Sequence, residues 1–145
     1  MRGFSDEERA RIRRGLLETG REQFARYGLR KTTIADLTDP VGIANSTFYR
    51  FFDSKEALYA KIVASMEEEL AETVVAESLE STDDPGEAIR RLLTGVVQMM
   101  ESDPLLRRVV TEDAYDELAA LQTDEERAAE REDELGYLVP YVERW

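Results

Sequence analysis

Six consecutive residues, Asn45-Ser46-Thr47-Phe48-Tyr49-Arg50, gather an amide, two hydroxyls, a phenol and a guanidinium. Such groups donate and accept hydrogen bonds without moving protons or electrons, which suits recognition rather than turnover. Asparagine can bridge the adenine edge and arginine the guanine edge, while serine and threonine fit either. A tyrosine phenol can reach a phosphate while its ring packs. Other chemistry finds little material here. The chain has no histidine and no cysteine, which removes thiol chemistry, disulfides, the usual zinc sites and the commonest general base at neutral pH. Its 32 Asp+Glu residues show no spacing that selects a catalytic pair. The chain therefore reads as a non-enzyme that needs no cofactor or metal.

Presenting these groups requires a short helix with a buried underside. Phe48 and Phe52 are four apart and should face a core, leaving Ser46, Thr47, Tyr49 and Arg50 outward on a helix expected over 45–52. Ahead of it, Ile34 and Leu37 mark another short helix, with Thr33 and Asp36 at capping-box spacing. Pro40 cannot sit deep in a helix, so this one should end at about Asp39, and Gly42 supplies the turn. Two short helices joined by a glycine turn form a helix-turn-helix, which lays its second helix in the major groove of DNA.

The remaining elements are helical too. Ser5-Asp6-Glu7-Glu8 is a capping box opening a first helix whose stripe is Ile12, Leu16 and Phe24, closed by Tyr27-Gly28. Arginines crowd this helix; most read as a solvated face, with Arg11 and Arg14 best placed to meet phosphates. Ser54 caps a long helix from Lys55 to about Glu80, carrying Leu58, Ile62, Met66, Leu70 and Val74. Asp84-Pro85 and Asp103-Pro104 each pair an N-cap with a first-turn proline, and Thr123-Asp124-Glu125-Glu126 opens a last helix. That helix becomes apolar late, at Leu135, Leu138, Val139, Val142 and Trp145, and Gly136 and Pro140 weaken it. No segment reads as a strand. The expected fold is all-α with about seven helices: a three-helix DNA-binding domain over 1–53 and a helical regulatory body over 54–145.

Charge divides along the same line. The net charge is −13, yet residues 1–55 hold 11 Lys+Arg against 8 Asp+Glu, and residues 56–145 hold 8 against 24. A positive head on an acidic body fits DNA contact by the head alone. Only Lys31, Lys55 and Lys61 are lysines among 19 basic residues, and acid excess with scarce lysine is similar to halophilic proteins. No apolar run can span a membrane, and Met1-Arg2-Gly3-Phe4-Ser5 leads into charged sequence without a signal peptide, so a cytoplasmic location is expected.

Phe24-Ala25-Arg26-Tyr27-Gly28, Thr32-Thr33-Ile34, Gly42-Ile43, Thr47-Phe48-Tyr49-Arg50-Phe51-Phe52 and Ser54-Lys55-Glu56-Ala57-Leu58 together resemble the N-terminal domain of the tetracycline-repressor (TetR) family, over roughly residues 10–62. The resemblance implies a ligand-responsive repressor at an operator. It implies DNA contacts from Thr32, Thr33, Tyr49 and Lys55 to phosphates, and from Asn45, Ser46, Thr47 and Arg50 to base edges. Where the family usually has a capping serine this chain has Ala44, so the cap is expected to shift to Asn45 or Ser46. Thr38 stands where a small alanine is usual.

The resemblance further implies an unknown small-molecule effector held in the body, with Met66, Met99, Met100, Tyr115 and Tyr137 as candidate lining residues. It also implies a homodimer in the full-length form, because two recognition helices must span paired half-sites. Family chains usually continue with two dimerisation helices, which are expected to be missing here. The alternative reading is a helical protein-protein interaction module derived from such a regulator, with weak or no DNA binding.

Overall fold

The computed structural model describes residues 3–111 and 123–145, and within 123–145 the side chains of all positions except 127, 130–135 and 137. Helix α1 (Asp6–Lys31) is followed by α2 (Ile34–Thr38), a 3-10 turn (Asp39–Val41), α3 (Asn45–Phe48) and α4 (Lys55–Leu70). A π-helical turn (Ala71–Val75) joins α4 to α5 (Ala76–Glu80); then come α6 (Pro85–Ser102), α7 (Pro104–Thr111) and α8 (Asp124–Arg144). No strand occurs among the described residues. The all-α expectation stands.

Local chemistry starts and stops these helices as the side chains require. Ser5, Thr33 and Thr123 each complete a reciprocal capping box, with Glu8, Asp36 and Glu126 respectively. Asp84 accepts from the Gly86 amide and Asp103 from those of Leu105 and Leu106, so both Asp-Pro pairs open helices. Gly28 interrupts α1 at φ 78°, ψ 172°, and a last short turn follows before Thr32. The expected stop at Tyr27-Gly28 is thus present as a break.

Contacts divide the chain into two compact units, Met1–Ser65 and Met66–Trp145. Residues 55–65 of α4 belong to the first unit because they lie tightly against α1. Gly20 makes that approach possible: an added Cβ there would come within 2.8 Å of Ile62 Cδ1 and 3.1 Å of Leu58 Cδ2. Around this crossing Ile12, Leu16, Phe24, Leu37, Phe48 and Leu58 are wholly buried, and the Phe24 and Tyr59 rings meet edge-on at 5.0 Å.

In the second unit Leu79, Ala88, Leu105, Leu106 and Val109 are buried. Val74, on the π-helical turn, fits into a notch at Gly95 so closely that a Cβ on Gly95 would lie 2.6 Å from Val74 Cγ1. On α8, Tyr141 donates to Glu80 at 3.1 Å and Arg144 to the carbonyls of Leu79 and Thr82.

Candidate nucleic-acid interface

The turn between α2 and α3 is built from its backbone outward. Pro40 sits in the first turn of the 3-10 segment, where its missing N–H costs nothing. Gly42 then adopts the left-handed conformation, φ 77° and ψ 32°, which a side chain would strain. Its amide and that of Ile43 both return to the Thr38 carbonyl, at 3.0 and 3.3 Å. Thr38 itself is buried, and its hydroxyl reaches the Ile34 carbonyl at 3.0 Å and Asn45 Oδ1 at 2.8 Å. Thr38 therefore ties α2 to α3 through a side-chain bond.

Helix α3 is shorter than the expected 45–52. It spans Asn45–Phe48, after which Arg50 and Phe51 amides bond three residues back, to the Thr47 and Phe48 carbonyls. The tightened turn still carries Phe52 inward, since its amide returns to Phe48 at 3.1 Å and the two rings lie 6.0 Å apart. The N-cap is Ala44, with no side-chain bond, and Asn45 does not take over the capping role. Its amide oxygen is engaged by Thr38 instead.

The expected contact residues separate into distinct groups. Ser46 is exposed and Thr47 half-buried on α3, and Tyr49 is 56% exposed with its ring edge-on to Phe48 at 5.4 Å. These three, with Asn45 beside them, form one outward face anchored by Phe48 beneath. Thr33 is exposed at the start of α2, but its hydroxyl accepts from the Asp36 amide at 3.2 Å. In return the Asp36 carboxylate accepts from the Thr33 amide at 2.9 Å, and this bond, helped by the Thr33 hydroxyl beside the carboxylate, holds its pKa below the usual carboxylate range.

Three residues depart from the expectation. Thr32 is fully buried and donates to the Gly28 carbonyl at 2.7 Å, because it closes α1 and does not open α2. Lys55 directs its ammonium at the Leu29, Arg30 and Thr32 carbonyls, at 2.8, 3.2 and 3.0 Å. An ammonium has three donors, and all three are occupied by the end of α1. Arg50 turns away from the α3 face: its guanidinium lies 5.2 Å over the Phe4 ring, in a cavity shared with Arg9 and Arg13 of α1.

Arg11 and Arg14 lie along a separate hollow with Pro40 and Val41, beside the turn. On sequence alone Phe4 carries no signal of its own, and Arg11 and Arg14 stand above Arg9 and Arg13 as phosphate candidates. The available signal was an aromatic just ahead of an arginine-rich helix and another, Phe51, just after α3. Of the five candidate effector residues, Met66 is buried and Met99 and Met100 are half-buried. Tyr115 and the side chain of Tyr137 lie outside the described residues. No group of metal-binding side chains and no membrane-spanning helix occurs among the described residues.

Residues 16–62 match the family described as bacterial regulatory proteins, tetR family. Three curated relatives align over longer or more similar stretches. The HTH-type transcriptional repressor KstR2 of Rhodococcus jostii is 36% identical over 69 residues, which is 46% of this chain and 34% of that protein. The HTH-type transcriptional regulator TtgR of Pseudomonas putida is 27% identical over 103 residues, covering 71% of this chain and 49% of its own length. The uncharacterized regulator YdgC of Bacillus subtilis is 24% identical over 100 residues, 67% of this chain and 51% of the relative. The chain thus spans about half the length, or less, of these curated relatives. No solved structure gives a significant match.

Proposed function

We propose that this chain, a member of the tetR family of bacterial regulatory proteins by its N-terminal residues, reads operator DNA through α3 and represses transcription there. The observation that carries the reading is the α3 face. Ser46, Thr47 and Tyr49 share it, Phe48 locks it to the core, and the left-handed Gly42 and the Thr38–Asn45 bond fix it against α2. Rigid backing matters because a base contact is worth about 1–3 kcal/mol of discrimination only at well-placed geometry.

In this reading a homodimer of the full-length protein sets two α3 helices one turn of DNA apart. A small molecule among the helices of 66–145 releases the DNA, with Met66, Met99 and Met100 as adaptable lining. The arginine-for-lysine bias suits work in concentrated salt within the cytoplasm.

The test is a duplex selected by the protein from a random-sequence library, titrated by fluorescence anisotropy across a salt series. Affinity that falls linearly on a log–log plot against salt supports the reading. Absent or salt-insensitive binding refutes it and favours a protein-interaction module.

A further inference from the structure

We propose, resting on that DNA-reading assignment, that Arg9, Arg13 and Arg50 form a cradle for one backbone phosphate of the duplex, so that Arg50 anchors the strand and does not read a base. Phe4, Arg9, Ala10, Arg13, Arg50 and Phe51 line a cavity of about 260 Å³, which contains no carboxylate. No ion pair reaches any of the three guanidiniums among the described residues. The neighbouring Glu8 carboxylate is occupied elsewhere, accepting from the Ser5 amide at 3.2 Å. Three like charges directed into one hollow repel each other, and an anion is the group that relieves the repulsion.

The aromatic residues explain how the cradle holds its shape. Arg50 lies over Phe4 at 5.2 Å and Arg13 over Phe52 at 4.8 Å. Phe4 in turn rests 6.1 Å from the Phe51 ring, and a Cβ on Gly3 would sit 3.9 Å from Arg50 Nη2. Stacking uses the faces of a guanidinium and leaves its in-plane N–H donors unspent, which is the arrangement a phosphate accepts. Phe4 is therefore a positioning residue for Arg50.

Place favours a DNA phosphodiester over a free anion. Arg50 and Phe51 directly follow the α3 face, and a sugar-phosphate strand borders each side of a groove that admits a helix. All three arginines are exposed, so a lone phosphate would compete with water, whereas a docked duplex delivers its phosphate at no further cost in translation. Phe4, Arg9 and Arg13 also precede the segment matched to the family, residues 16–62. The cradle thus joins residues from ahead of the matched segment to Arg50 within it.

Arg50→Gln, Arg13→Gln and Phe4→Ala are titrated with the selected duplex and with a scrambled duplex of equal length. Thermal melts identify any variant that has lost its fold, and Arg9→Gln replaces it in that case. The expected result is an equal fold-loss of affinity on both duplexes, and for each arginine variant a log–log salt slope shallower by a part, at most about 0.9, of the one phosphate's share. A loss confined to the selected duplex, with relaxed preference at one base pair, would make Arg50 a base reader and overturn the proposal. So would unchanged affinity and slope, or inorganic phosphate saturating the arginine Nε–H resonances of the DNA-free protein at submillimolar concentration. A wild-type protein that binds neither duplex would instead remove the DNA-reading assignment beneath it.

Discussion

Replacing Lys55 by methionine keeps the aliphatic stem and removes the ammonium that joins α4 to the end of α1. Three carbonyls lose their donor, those of Leu29, Arg30 and Thr32, at 2.8, 3.2 and 3.0 Å. A hydrogen bond to a charged group is worth about 1.5–3 kcal/mol net, and the Arg30 carbonyl is exposed enough for water to replace the loss. The other two are partly buried and share one donor group, so their contributions do not simply add. The expected cost is about 2–4 kcal/mol, which for a unit of this size lowers the melting temperature by on the order of 10 °C or more. Lys61→Met, an exposed lysine on the same helix, should stay within about 0.5 kcal/mol and serves as the control. Differential scanning fluorimetry measures the shift, and anisotropy titrations across salt measure the DNA slope, which should not change for folded Lys55→Met. A variant that melts like the wild type yet loses about 0.9 from its salt slope would refute this reasoning. That outcome would return Lys55 to the phosphate role that the sequence first suggested.

The pair Phe48→Ala and Tyr49→Phe should separate support from contact. The first creates a cavity under α3 and costs about 3–5 kcal/mol in a melt; the second leaves stability within about 0.5 kcal/mol and weakens duplex binding. Gly95→Ala should destabilise by about 1–3 kcal/mol through overpacking against Val74. Adding Val74→Ala should recover part of that loss, a coupling that a double-mutant cycle measures. Asp36 has a depressed folded-state pKa, so its contribution to the α2 cap is present above its unfolded-state pKa and lost as pH falls through the folded one. Carboxyl NMR should place its midpoint below the usual carboxylate range, and Thr33→Val, which removes the hydroxyl and keeps the backbone donor, should raise it only part of the way.

Much of the fold was legible because it rests on local chemistry. Capping boxes, Asp-Pro starts, Gly28 and Gly42 act over three or four residues, and the Phe48–Phe52 spacing needs only helical geometry. What sequence could not show depends on encounters across long separations. Lys55 finds carbonyls 23 to 26 residues away, and nothing in Ser54-Lys55-Glu56 indicates that its donors are taken. Thr32 looked like the entrance to α2, yet the extra turn after Gly28 makes it the exit from α1. Arg50 looked available at the end of α3 because Phe4 lies 46 residues earlier in the chain. The shortening of α3 was likewise hidden, since the residues after Phe48 still return Phe52 to the core.

The bond between Thr38 and Asn45 has a consequence for what α3 can say to a base. A threonine hydroxyl owns one proton, and here two acceptors compete for it, the Ile34 carbonyl and the Asn45 side chain. If the proton points at Asn45, the amide keeps its oxygen inward and shows its NH₂ to the groove, a donor matched to purine N7 or guanine O6. If the proton goes to Ile34, the amide rotates to donate inward, and its oxygen faces out to accept from cytosine N4 or adenine N6. In the proposed reading, a single buried proton thus sets the polarity of the group that Asn45 offers to a base. Thr38→Val would leave Asn45 to present either end, trading a defined preference at that base pair for tolerance.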